Sequence, residues 1–125
     1  MKRSFSALLQ WQWNGYSEAH QNKSNLIVHI FAVPLFIAAI FGIAIAIFRF
    51  SLLLGAISLT TIILSLALQK KGHSFERNQP PNFTGVWDFL SRLLTEQFIT
   101  FPRFLLTGGW SRNLSCRRNN SSRAI

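Results

Sequence analysis

His20, His29 and His73 are the three histidines of this 125-residue chain, and each has a polar partner about one helical turn away. On a helix Tyr16 and His20, Asn25 and His29, and Gln69 and His73 stand four residues apart, and Glu76 follows His73 at three, so each pair shares a face. Imidazole is the commonest protein metal ligand, and its second ring nitrogen usually donates to an amide or carboxylate that fixes the tautomer; Asn25, Gln69 and Glu76 suit that work. Three imidazoles with a carboxylate would suit Fe(II) or Zn(II), which ligand softness does not separate. The plainer alternative is that these polar side chains only solvate helix ends. Nucleophilic catalysis has less to draw on, since no serine elbow is present and Cys116 lies near the C-terminus with no evident base. As the single cysteine, it also excludes an internal disulfide and any CxxC metal motif. A two-carboxylate hydrolase would have to choose among Glu18, Glu76, Asp88 and Glu96.

What must bring the histidines together is a pair of apolar runs. Residues 30–48 (IFAVPLFIAAIFGIAIAIF) and 50–68 (FSLLLGAISLTTIILSLAL) carry no charge. At about 1.5 Å per residue each is long enough, as a helix, to cross most of a bilayer's hydrocarbon core of about 30 Å. Arg49 alone separates them, so the helices must run antiparallel, with its guanidinium snorkelling to the headgroups. A soluble core is the competing explanation, but a chain of this size has little else with which to cover two such helices. The hairpin puts His20 and His29, before and at the start of the first run, at the same end as His73, just after the second. His20 and His29 are nine residues apart; at about 100° per residue they fall on opposite sides of one continuous helix, so joint ligation requires a break. The polar run NKSN at 22–25 is where turn chemistry supplies it. Pro34 lies about one turn into the first helix, close to the site, where it favours a kink.

The fold expected is therefore an all-α integral membrane protein: a two-helix transmembrane hairpin with flanking amphipathic interfacial helices. A single membrane domain spans 1–110, with an amphipathic and site segment at 5–28, transmembrane helices at 29–48 and 50–69, a site loop at 70–82 and an interfacial helix at 84–106. In that last segment Phe89, Leu90, Leu93, Leu94 and Phe98 recur at helical spacing, while Asp88, Arg92 and Glu96 make i,i+4 pairs on another face. Spanning would bury those charges at roughly 2.5 kcal/mol or more each, which lying in the interface avoids. The tail 111–125 (SRNLSCRRNNSSRAI) is polar and basic and is expected to be disordered. Twelve of the thirteen Lys and Arg residues fall on the histidine side of the hairpin, which puts the site and both termini in the cytoplasm, at a bacterial inner membrane or an endoplasmic reticulum. The net charge of +9 suits anionic lipid, and no nucleic-acid motif accompanies it. Gly42, Gly55, Ala44 and Ala46 serve close helix packing, and so small a hairpin is expected to pair with a copy of itself.

The order Tyr16-x3-His20-x4-Asn25-x3-His29, running into an apolar helix with Pro34, followed by Gln69-x2-Gly72-His73-x2-Glu76 and the prolines of QPP at 79–81, resembles the Mpo-like membrane family of 2-hydroxy fatty acid dioxygenases. The motifs cover about the first two thirds of the chain and are specific together, weak separately. The resemblance implies an Fe(II)-dependent membrane dioxygenase of fatty acid α-oxidation, taking a 2-hydroxy fatty acid and O2 and shortening the acyl chain by one carbon. It implies His20, His29 and His73 as metal ligands, Glu76 beside them in catalysis, and Tyr16, Asn25 and Gln69 in support. The acyl chain is expected to stay in lipid. Two alternatives share the same residues: a His-ligated zinc lipid hydrolase, which needs no oxygen, and a non-catalytic small membrane protein, which needs no metal.

Overall fold

The computed structural model describes the backbone of residues 3–123 and the side chains of residues 3–116, and all regular structure among them is helical. α1 (Phe5–Tyr16) starts at Ser4, whose hydroxyl accepts from the Ala7 N–H. It ends in a turn, and α2 (Lys23–Arg49) opens at Asn22, whose side-chain oxygen accepts from the Ser24 and Asn25 N–H groups. An N-cap of this kind satisfies donors that the first turn leaves open. The break between His20 and His29 is thus made by Asn22, while Lys23, Ser24 and Asn25 already belong to the helix. α2 continues through Pro34.

Phe50 adopts a left-handed conformation (φ 51°) and Ser51 caps α3 (Leu52–His73), accepting from the Leu54 N–H. The tight reversal sets α2 and α3 antiparallel in close contact. A methyl added to Gly42 would fall on the Ser58 side chain, Gly55 faces Ala46, and a methyl on Gly72 would strike Asn25. Of the four small residues expected at this contact, Gly42, Gly55 and Ala46 lie in it; Ala44 is exposed. Ser65 donates across the seam to the Ala32 carbonyl at 2.6 Å. Both helices outrun the apolar segments, which places His29 and His73 inside helices rather than beyond their ends.

The hairpin buries Leu26, Val33 and Phe36 of α2 together with polar side chains of α3, and its outer faces are apolar. Ser58, Ser65 and Gln69 are buried, whereas Phe41, Ile47, Phe48, Phe50, Leu52 and Leu53 expose more than half their surface. Buried polar and exposed apolar side chains also mark the segment expected to be one amphipathic helix. It folds as α4 (Val86–Thr95), a π-helical turn (Glu96–Thr100) and α5 (Phe101–Leu106), with Arg92, Thr95, Gln97 and Thr100 buried and Leu94, Ile99 and Leu106 turned outwards. The Asp88–Arg92 pair of the sequence reading is present at 3.2 Å, but Glu96 points to the histidines instead of extending that row. Phe101 and Phe104 complete a small core with Tyr16, Leu26 and Val33.

One expectation is corrected here. The stretch from Ser111, read as a disordered tail, belongs to α6 (Gly109–Arg123). Gly108, at φ +85°, turns the chain back; Trp110 then donates to the Leu26 carbonyl at 2.8 Å, and Asn113 to the carbonyls of Ser17 and His20 at 3.0 and 2.9 Å. Polar composition argued for disorder, but these two side chains have backbone acceptors waiting at the α1–α2 break. Residues 124–125 of that tail lie outside the described residues.

Candidate metal centre

The α1–α2 break sets His20 on a turn, α2 carries His29 and the last residue of α3 is His73. The three ring centroids form an equilateral triangle of side 4.8 Å, with the rings 77° to 89° apart in each pair. Three edges facing one point is the arrangement of ligands around a small cation.

The tautomers follow from the backbone. His20 Nδ1 is 2.8 Å from the Tyr16 carbonyl and His29 Nδ1 is 3.0 Å from that of Asn25. A carbonyl only accepts, so both Nδ1 atoms carry a proton, and with a metal bound the Nε2 atoms would be the ones free to ligate it. Those Nε2 atoms, together with His73 Nδ1, are buried with no hydrogen-bond partner. Leaving a buried polar atom unmatched costs about 1–3 kcal/mol, and three converging ones are hard to explain without a guest.

Glu96 closes the set. Its carboxylate is 3.6 Å from His20 Nε2 and from His29 Nε2, and ligand atoms of His20, His29, His73 and Glu96 lie within 4.8 Å of one another. Donors bonded at about 2.0–2.2 Å to a common ion are spaced on this scale, so these residues could hold a metal. Burial pushes the Glu96 carboxyl up, but the adjacent His20 and His29 rings outweigh it and hold the group well below the usual carboxylate range. It therefore offers an anionic oxygen beside the three ring nitrogens. Tyr16 orients it, donating to Oε1 at 3.0 Å while its ring stacks on His20 at 3.8 Å. Burial, and then the Glu96 charge and hydrogen bond, keep the Tyr16 phenol well above its ordinary pKa of 10.0. Phe101 and Phe104 stand beyond His29 and His20 and shut out water on that side.

The other residues singled out in the sequence sit one layer back. Glu76 does not join the cluster: its carboxylate accepts from the Gln21 and Asn22 N–H groups at 3.1 and 2.7 Å and from the Asn25 amide at 3.0 Å. It ties the loop after α3 to the α1–α2 break and so sets where His20 lies. Asn25 gives its carbonyl to His29 and its side chain to Glu76. Gln69 touches no histidine; it exchanges two amide hydrogen bonds with Gln97, at 2.9 and 2.8 Å, and also donates to Ser65. Gln97 follows Glu96 in the π-helical turn, so this pair anchors to α3 the turn that aims Glu96. Sequence reasoning missed Glu96 in this role. Its one signal was the polar row Arg92, Glu96 and Thr100, which reads equally well as a solvent-facing stripe.

A family model described as 2-hydroxy-palmitic acid dioxygenase Mpo1-like matches residues 6–102. The match takes in all four members of the cluster and stops before α6. No curated protein and no solved structure matches the chain.

Proposed function

The chain belongs to the 2-hydroxy-palmitic acid dioxygenase Mpo1-like family, and on that premise we propose that it is a membrane-embedded, Fe(II)-dependent dioxygenase that shortens 2-hydroxy fatty acids by one carbon. The observation that carries the reading is the convergence of three unpartnered imidazole nitrogens and one carboxylate on a single point. The ligands proposed are His20, His29, His73 and Glu96, with Tyr16, Asn25, Gln69 and Glu76 holding them.

The membrane setting rests on the apolar outer faces of the hairpin. Two helices long and apolar enough to cross a bilayer, with outward faces of exposed Phe, Leu and Ile, support solvation by lipid. The contrast between Arg49 alone at the tip and the many basic residues at the other end supports a cytoplasmic site.

Bound Fe(II) would supply O2 activation and a Lewis-acidic seat for the carboxylate and neighbouring hydroxyl of the substrate. The chain's own part is preorganisation. His20 and His29 arrive with their Nδ1–H groups held by backbone carbonyls, Glu96 arrives charged and oriented by Tyr16, and Phe101 and Phe104 keep the far side dry. The reaction balances without an external reductant. Cleavage of the C1–C2 bond of a 2-hydroxy acid with one O2 yields the shortened acid, one carbon dioxide and one water, the substrate giving up all the electrons that O2 receives.

Protein extracted in mild detergent under anaerobic conditions should retain iron at about one ion per chain. Admission of O2 with 2-hydroxypalmitate should then give the shortened acid, with one O2 consumed per product and no reduced cofactor. His73→Ala should lose both iron and product. Turnover that persists without oxygen, with zinc bound, would instead assign these donors to a hydrolase; full activity of His73→Ala with iron retained would overturn the ligand set.

A further inference from the structure

Resting on the reading just given, we infer that the substrate reaches the cation through a cleft between α1 and the 78–83 loop, and that the first part of its acyl chain lies there rather than in the surrounding lipid. Among the described residues, the other sides of the cluster are packed. The α2–α3 seam is sealed by Gly42 against Ser58, by Ser65 on the Ala32 carbonyl and by Gly72 against Asn25. Phe101 and Phe104 fill the side towards α5, and Trp110 and Asn113 fasten α6 over Leu26, Ser17 and His20. His29 is wholly enclosed, at 0% exposure. His20, His73 and Glu96, in contrast, all line one cleft of about 490 Å³, within the roughly 300–1,000 Å³ typical of small-molecule sites.

The walls of this cleft suit a fatty acid held by its head. Its floor is the histidine and carboxylate cluster, and its sides include Trp11, Pro81, Phe83 and Leu93. The loop wall is held in place by Arg92. This buried guanidinium donates to the Pro81 and Asn82 carbonyls at 2.7 and 3.2 Å and lies over the Phe83 ring at 4.2 Å.

Gly15 supplies an independent probe. It lies in the last turn of α1, one residue before Tyr16 ends the helix, and no neighbouring side chain packs against it. Its φ is not in the left-handed range, and a methyl built on it would meet no atom within 4 Å. The space it faces is the cleft. A side chain at this position would project into the cleft and occupy volume the acyl chain needs, so the position reports directly on whether the cleft is used.

Two measurements test this. In the first, Gly15→Ala, Gly15→Leu and Gly15→Phe are compared for iron content, thermal midpoint and turnover of 2-hydroxypalmitate. The expected result is retained iron, an unchanged or higher midpoint, and a KM that climbs with side-chain size, by about tenfold or more at Leu. A Gly15→Leu protein with wild-type KM would overturn the proposal. In the second, a 2-hydroxy fatty acid bearing a photoreactive group early in its chain is cross-linked to the wild-type protein without oxygen and competed with 2-hydroxypalmitate. Competed label on α1, the 78–83 loop or Leu93 supports the cleft, whereas label confined to the outer faces of α2 and α3 overturns it. This second result needs neither turnover nor an intact variant. If the protein proves to hold no iron, the label still judges the cleft while the dioxygenase reading falls separately.

Discussion

Glu96 and Glu76 are two enclosed carboxylates whose partners differ in kind, so their substitutions should separate metal binding from folding. Glu96→Gln keeps the shape and removes the charge beside His20 and His29; iron affinity should fall by at least about 10–100-fold, the loss typical of even an outer-layer partner, with little change in thermal midpoint. Glu76→Ala strips the acceptor from two backbone N–H groups and the Asn25 amide. Thermal unfolding of the metal-free protein should register a loss of about 1–3 kcal/mol. Tyr16, the sole tyrosine, permits a direct titration. Its folded pKa is raised above the ordinary 10.0, so the stability it contributes is complete below that pH and is lost as pH rises towards the folded value. Tyrosinate absorbance should therefore stay absent near pH 10 and appear only together with loss of helical circular dichroism. Normal ionisation in the folded protein would show that the phenol is not sealed in.

At the scale of elements, the π-helical turn is the piece on which the site depends. Five residues, Glu96–Thr100, wound more loosely than their flanks, direct Glu96 and Gln97 inwards, and such turns are frequent at functional sites. The Gln69–Gln97 amide pair holds the turn to α3. Removing one partner strands the other's buried amide, while removing both strands less. Gln97→Leu and Gln69→Leu should each cost about 1–3 kcal/mol, and the double variant less than their sum, read by a thermal-unfolding cycle in detergent. Additive losses would mean the amides do not act as a pair. α6 makes a parallel case. A chain ending after Gly108 loses Trp110 and Asn113 and should lose iron, whereas one ending after Cys116 should keep it.

For the whole molecule, the apolar outer faces of the hairpin make topology measurable. Cys116 is exposed and is the single cysteine, so a membrane-impermeant maleimide should label it only from the cytoplasmic side. In a Cys116→Ser background, Arg49→Cys at the hairpin tip should show the opposite sidedness. Labelling of both positions from one side would mean that the hairpin does not cross. The exposed Phe48 and Leu52 belong to the outer faces of helices long and apolar enough to span a bilayer, and beneath them the buried apolar residues are joined by the Ser65 hydrogen bond to the Ala32 carbonyl.

Much of this was legible in the amino-acid order. Two uncharged runs joined by one arginine leave only an antiparallel reversal, which puts His20, His29 and His73 at one end whatever else happens, and the nine-residue spacing of the first two demands the break that Asn22 makes. Run length and helical period are local properties, so they survive without knowledge of the neighbours. The partner of the imidazoles was not legible in the same way. Glu76 is near His73 in sequence and Glu96 is distant, yet folding gives Glu76 to backbone N–H groups and turns Glu96 to the rings. A polar stripe on a helix states only that one face is polar; whether that face meets water, lipid headgroups or other polar side chains is decided by what packs against it. The helical start of α6 and the open space beside Gly15 belong to this second kind, because each exists only through residues far away in the chain.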